Sequence, residues 1–223
     1  MATAPELISG PVRLVPFGER HLTGRYLGWL NDQGLMRYSE QRHRTHTLAS
    51  CRVYWQSFVD SPHYLWALEE TAEGLGHIGN LNAYLDPPNG LADLGILIGE
   101  IRGRGKGLGL IAWRLAVEFL FRHTATRKIS AGTMALNAPM LRLMERSGMI
   151  ADGRRRRHYL VAGQETDIVH MALFREQWPA ANGDGVAKRP IYCGAWRFGS
   201  FGIPSVWPHS PNTPRALYIG PFA

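Results

Sequence analysis

The sequence predicts an α/β (α+β) protein, a mixed sheet with helices on its faces. Three observations carry that prediction. Short β-rich runs and longer amphipathic stretches alternate along residues 12–174. Their order is strand, helix, helix, three strands, helix, strand, helix, two strands, which is not the clean βαβ alternation of a doubly wound fold. The 223 residues are 45% apolar and 19% charged, a mixture that excludes a wholly disordered chain and suffices for a sizeable core.

Each element has its own justification. Val12-Arg13-Leu14-Val15-Pro16-Phe17 is short and β-rich, a first strand. A helix follows over 23–30, with Leu22, Tyr26, Leu27 and Leu30 on one face, and Asn31-Asp32-Gln33-Gly34 breaks it. Residues 37–47 are polar and read as a loop. Leu48 to Asp60 is helical, with Val53, Trp55, Phe58 and Val59 as candidate core. Strands follow at 64–68, 76–84 and 92–98, the last two separated by the turn Pro87-Pro88-Asn89-Gly90. Leu108, Ala112, Leu115, Ala116 and Phe119 recur at helical spacing over 106–123. A strand at 127–133, a short helix at 137–147 closed by Gly148, and strands near 155–161 and 167–174 complete the order.

Composition changes after Trp178. Residues 183–223 hold six Gly and six Pro in 41 positions, which argues against a helix or a central strand. They also hold seven aromatic residues, too many for a plain linker. The chain therefore divides into a domain at 1–178 and a Gly/Pro- and aromatic-rich extension at 179–223. Two cysteines, Cys51 and Cys193, cannot make a disulfide framework, and no Cys/His cluster has zinc spacing, so no metal is expected. The start lacks a basic region followed by an apolar run, and no window approaches the ~18 apolar residues of a spanning helix. A soluble, cytoplasmic protein is expected. The 25 basic against 18 acidic side chains give +7, compatible with nucleic acid, an anionic membrane or a phosphate-bearing ligand. Residues 102–157 hold 13 of the basic side chains and 3 of the acidic ones, so the excess has an address.

That address begins with the most informative segment. Leu94 to Ile98 reads as a strand running into a turn with glycines at 103, 105, 107 and 109, and a long amphipathic helix follows. Glycines let backbone N–H groups converge, and a helix N-terminus adds positive potential, so the segment suits phosphate. A Walker loop is excluded because Gly107 follows Lys106. A dinucleotide fingerprint is excluded by spacing and element order. What remains is Arg104-Gly105-Lys106-Gly107-Leu108-Gly109, of the form [Q/R]-x-x-G-x-[G/A].

This segment resembles the acetyl-coenzyme-A loop of the GCN5-related N-acetyltransferase (GNAT) family. A second match is Asn137-Ala138-Pro139-Met140-Leu141-Arg142-Leu143-Met144-Glu145-Arg146-Ser147-Gly148-Met149, similar to N-x-x-S-x-x-x-x-E-K-x-G-F of the RimJ/RimL-like branch. The two motifs stand in the family's order, and the resemblance covers residues 12 to about 174. It implies a GNAT fold, with a mostly antiparallel central sheet and helices on both faces. It also implies transfer of an acetyl group from acetyl-CoA to a primary amine, with CoA as product. The loop would bind pyrophosphate, which assigns Arg102, Arg104, Gly105, Lys106, Gly107, Leu108 and Gly109, with Asn137 and Arg142 from the second motif, to the cofactor. A backbone N–H of Leu97 or Ile98 would polarise the thioester carbonyl. Gly99 would mark a bulge that splays this strand from its neighbour and opens a slot for pantetheine.

The amine arrives as ammonium, so a general base is expected. Asp93 is the first candidate, because strand alternation puts it on the face of Leu97. Glu100 is the second; His77 and His158-Tyr159 are weaker. The family's usual acids are replaced by Met140 and Met144. On the acceptor side, Trp29-Leu30-Asn31-Asp32 and Arg37-Tyr38 resemble segments of the same branch, and His43, Arg44 and His46 are candidates for contact with an anionic acceptor. The acceptors implied are an amino sugar or nucleotide sugar, a protein N-terminus, or an antibiotic amine. A second copy of the chain is a further expected partner; a membrane or nucleic acid is not, although Arg154-Arg155-Arg156-Arg157 keeps a nucleic-acid reading open. A non-catalytic CoA-binding or sensing module is the alternative to an enzyme.

Overall fold

A computed structural model describes residues 4–178. The extension expected at 179–223, with Cys193, lies outside them. The strands are β1 (Leu7–Ser9), β2 (Val12–Pro16), β3 (Tyr64–Glu70), β4 (Gly76–Asp86), β5 (Leu91–Ile98), β6 (Lys128–Met134), β7 (Ile150–Val161) and β8 (Gln164–Phe174). The helices are α1 (Gly24–Asn31), α2 (Leu48–Val59), α3 (Leu108–His123) and α4 (Ala138–Arg146). The strands form one sheet in the order β1-β2-β3-β4-β5-β6-β8-β7, antiparallel everywhere except between β5 and β6. This is the mixed, mostly antiparallel sheet expected from the sequence. The element boundaries fall within a few residues of those read from periodicity, except that β7 begins earlier. β1, three residues long, carries too little pattern to be seen in advance.

Strand alternation divides the apolar side chains between two layers. On one face Leu14, Trp66, Leu68, Leu81, Leu94 and Ile129 pack against α3 and α4, with Trp113 fully buried among them. All five residues predicted to line α3 are buried. On the other face Val15, Leu65, Ala67 and Leu97 pack against Tyr26, Trp29 and Leu30 of α1 and Cys51, Tyr54 and Phe58 of α2. Each large side chain removed from water in these layers contributes roughly 1.5–3 kcal/mol.

The buried face of α2 corrects the sequence reading. Val53 and Val59 are exposed, and Cys51, Tyr54 and Phe58 face the sheet. The spacing 51-54-58 is helical, but it includes residues less apolar than the valines that the pattern favoured. Cys51 is a buried free thiol. Among the described residues no helix is long and apolar enough to cross a membrane.

Candidate active site

The two edges of β5 are unequal. Toward β4 it is paired along its whole length, from Leu91↔Asp86 to Ile98↔Gly79. Toward β6 only Leu91, Ala92 and Asp93 are paired, with Lys128, Ile129 and Ser130. Beyond Asp93 both strands continue without pairing to each other, to Ile98 and Met134. A slot between two parallel strands is the result.

Gly99 has a different part from the one expected of it. The bulge is present, because the N–H groups of Gly99 and Glu100 both donate to the Ile78 carbonyl (2.9 and 3.0 Å). It lies on the β4 side, however, and the divergence from β6 begins five residues earlier, at Leu94. Two glycines fix the end of the strand. A Cβ on Gly79 would overlap the Leu97 carbonyl oxygen, and a Cβ on Gly99 would overlap the Trp29 ring.

The loop after β5 turns a run of backbone N–H groups outward. Glu100 accepts from the Arg102 N–H (3.2 Å) and starts a single 3-10 turn at Ile101–Gly103. Gly105 and Gly107 have φ of 74° and 79°, in the left-handed region that favours glycine. Gly107 begins α3 with no side-chain cap. The first helical N–H groups that find a protein acceptor are those of Leu110 and Ile111, both bonded to the Gly107 carbonyl. Among the described residues no protein acceptor takes the N–H groups of residues 105–109. Five consecutive donors at the positive end of a helix are suited to a phosphate group.

The cations predicted for phosphate divide. Arg104 donates through Nε to the Ile98 carbonyl (3.1 Å) and through Nη2 to the Gly99 carbonyl (2.7 Å), so it straps the loop to the end of β5. Lys106 pairs with Glu73 (2.6 Å). Arg102 and Arg142 are exposed and make no ion pair among the described residues. Asn137 caps α4, accepting from the Met140 N–H (3.4 Å) and donating to Thr133 Oγ1 (3.0 Å). Met140 and Met144 are core residues, with Met144 fully buried, so α4 offers the slot no hydroxyl at either position. The arginines 154–157 lie on β7, three strands from β5, and not in the glycine loop.

Asp93 marks the start of the slot. It sits at the last paired residue before the slot, between Tyr84 of β4 and Ser130 of β6. Ser130 Oγ donates to its Oδ2 (2.8 Å), and its Oδ1 is buried without a partner. Burial pushes its pKa up to about 6, against the lowering effect of the Ser130 hydrogen bond. Tyr84 OH meets Tyr54 OH at 3.0 Å, and burial, reinforced by Tyr84, holds the Tyr54 phenol neutral.

The other candidates are less well placed. Glu100 caps its turn and faces Arg25 at 3.9 Å. His77 packs among Phe17, His21, Tyr26 and Trp29 and contacts Asn80 Oδ1 (2.8 Å); burial lowers its pKa. His158 and Tyr159 stack edge-on at the bulged part of β7, and Arg42 ties the 37–47 loop to that strand through the Leu160 carbonyl (3.0 Å). His43 and Arg44 are exposed, while the backbone of His46 is stapled to α1 by the Asn31 side chain, whose Nδ2 donates to the His46 carbonyl and whose Oδ1 accepts from the His46 N–H. Trp29 and Asn31 thus have local packing roles that the motif resemblance did not convey.

Three residues on the face of Asp93 were missed. Asn82, opposite Gly95, is buried with Nδ2 unpartnered. His170 of β8, opposite Gly132, has Nε2 buried without a partner, and a Cβ on Gly132 would meet its ring at 3.0 Å. Ser130 holds Asp93. No local motif marks these residues; only strand pairing brings them together. The concavity of about 220 Å³ lined by Tyr64, Pro87, Leu91, His123 and Thr126 lies at the other end of β5 and takes no part in this arrangement.

The comparisons with known proteins agree with this geometry. The family described as acetyltransferase (GNAT) domain matches residues 12–150. An N-acetyltransferase 9-like protein of Caenorhabditis briggsae is 26% identical over 141 residues, covering 60% of this chain and 71% of that one. A spermidine N-acetyltransferase from Vibrio cholerae, solved with CoA and spermine, superposes with a TM-score of 0.66 at 18% identity, covering 75% of this chain and 97% of that one. A RimL ribosomal alpha-N-protein acetyltransferase in complex with coenzyme A gives a TM-score of 0.68 at 13% identity, covering 77% and 99%. At these identities the two solved structures attest the fold.

Proposed function

The chain belongs to the GNAT acetyltransferase family and is an acetyl-CoA-dependent N-acetyltransferase, and from that premise we propose that the slot between β5 and β6 is its active site. The single observation that carries this reading is the slot itself: parallel pairing stops at Asp93, and β5 runs on to a loop whose N–H groups at 105–109 have no protein acceptor among the described residues. The residues present fit acetyl-CoA. The loop suits a pyrophosphate, with Arg102 and Arg142 as unpaired cations near it, and the slot suits a thin chain. Arg104 and Asn137 serve the site indirectly, by fixing loop and helix, and Lys106 is taken up by Glu73.

Acetyl-CoA supplies an acetyl group on a thioester. The chain supplies a donor and a base. Gly99 turns its N–H toward β4, so ladder alternation turns that of Ile98 to the opposite edge, the one β6 leaves. That edge also carries the Ile98 carbonyl, which Arg104 holds. Ile98, more than Leu97, is therefore the donor aimed at a developing oxyanion. Asp93 lies five strand residues, roughly 16 Å, from Ile98, so it takes the proton that the amine must lose through water, and its pKa of about 6 leaves it ionised yet basic at neutral pH. With methionines at 140 and 144, sulfur leaves as thiolate, feasible for a group of ordinary pKa about 8.5.

The acceptor is a primary amine, of an amino sugar or nucleotide sugar, or a protein N-terminus; an antibiotic amine is the alternative small molecule. The second motif and the RimL neighbour support the RimJ/RimL-like branch. The same reading takes residues 1–178 as the transferase domain and 179–223 as an appendage, in a cytoplasmic protein that forms a homodimer. Incubation with acetyl-CoA and an amine panel, following free thiol, tests the assignment. Acceptor-dependent thiol release lost in Asp93→Asn is the expected result. CoA binding without release by any amine would favour a sensing module, the reading that the two core methionines otherwise support.

A further inference from the structure

The face that carries Asp93 continues past the slot. Alternation and pairing put Gly132 and Ser130 of β6, His170 of β8, and Gly153 and Arg155 of β7 on it. Arg154 is on the opposite face, where it pairs with Asp167 (2.5 Å), and Arg157, within the bulge between Arg155 and Tyr159, pairs with Glu165. Arg155 is exposed and makes no ion pair among the described residues. Asp152, the acidic residue of the neighbouring bulge, is held by Lys128 (2.8 Å). His170 stands between Arg155 and the slot, with Nε2 unpartnered, and its ring lies over Gly132, where any Cβ would crowd it. Among the described residues, three of the five buried side-chain atoms without a partner, on Asn82, Asp93 and His170, are on this one face. A polar floor thus runs from the base to an uncommitted guanidinium.

Resting on the acceptor reading above, we propose that the acceptor carries a carboxylate or phosphate at a distance from its reactive amine, and that Arg155, with His170 beside it, is the site that reads this anion. Three strand spacings of about 4.8 Å would separate β5 from β7 by roughly 14 Å, and the slot, open at the level of Met134, Ile168 and Arg155, adds to that. Even with the arginine side chain reaching back, that span is too long for the carboxylate of an α-amino acid. It suits an acidic side chain a few residues into a peptide whose N-terminus is acetylated, or the phosphate of an amino-sugar phosphate. A guanidinium holds either group through paired N–H donors, and the Nε2–H tautomer of His170 adds another.

The test measures binding and chemistry separately, on the full chain with CoA present. Calorimetry compares a peptide carrying Glu near its free N-terminus with its Gln counterpart, and an amino-sugar phosphate with the unphosphorylated sugar. The wild type is expected to prefer the charged member of at least one pair by about 10-fold, as a charge-assisted contact allows. The pair that shows the preference identifies the source of the anion. Arg155→Gln should remove the preference and Arg155→Glu reverse it, with CoA affinity and thermal midpoint unchanged because the residue is exposed. His170→Leu should weaken binding of the charged member more than that of the neutral one. Equal binding of charged and uncharged acceptors by the wild type, or a preference that survives Arg155→Glu, overturns the proposal. Thiol release is scored independently, so failure of acetyl transfer is not confused with failure of anion recognition.

Discussion

The two edges of β5 are made by neighbouring atoms of one strand and do opposite things. Toward β4 the ladder is complete, and even the bulge at Gly99 keeps its N–H groups bonded to Ile78. Toward β6 the ladder stops after three pairs, and the backbone groups past Asp93 are released. Unpaired backbone polar groups are costly when buried. The closed edge, with Gly79, Gly99 and Trp29 packed against it, holds the strand in place while the open edge is left for a ligand.

The comparison is broken most severely from the closed side. Gly79→Val forces a side chain into the Leu97 carbonyl oxygen, and a loss of about 3 kcal/mol or more in urea unfolding is expected. Wild-type stability in that variant would mean that the strand end is not fixed there.

From the open side, Asp93→Asn should lower kcat about 100-fold or more and abolish the limb that rises through pH about 6 in the wild type. The stability effect has the opposite sign. The folded-state pKa is raised, so burial of Asp93 subtracts stability as pH climbs from about 4, the unfolded value, to about 6. The variant should therefore unfold later than wild type at pH 8 and no later near pH 3. A kcat limb that persists removes Asp93 as the base.

The loop sharpens the contrast further. Gly107→Glu replaces a residue at φ 79°, incurring roughly 1–2 kcal/mol of left-handed strain and placing an anion among the free N–H groups. CoA affinity should fall by roughly 30-fold or more, and unchanged affinity would detach the loop from the phosphates. The smallest effect is expected from Lys106→Ala, because its pairing with Glu73 is solvent-exposed. Its unfolding free energy should move by less than about 1 kcal/mol, and a larger loss would show that the pair anchors the loop.

How much was legible follows from the range of the interactions. The glycine loop, α3 and Asn137 could be read directly, because φ constraints, helical period and caps act within a few residues. Asp93 could be read only relative to Leu97, one strand away from nothing but itself. Asn82, Ser130 and His170 could not be read, since each acquires its meaning from a residue on another strand. The arginines of β7 were legible as charge but not as positions: alternation and a bulge send Arg154 and Arg155 to opposite faces. Gly99 was recognised as special for the wrong neighbour, because a glycine signals close approach without saying of what.

The sequence by itself determined the element order, the apolar layers of α3 and the sheet, and a glycine-rich turn suited to an anion. Gly105 and Gly107 of that turn have a left-handed φ, and all three features follow from local geometry and from the period of apolar residues. Tertiary structure alone decided where β5 parts from β6, which carboxylate is buried with an unpartnered oxygen, and which arginine is left uncommitted. Each of those depends on strand register, and register is set by the packing of the whole sheet against its two helical layers.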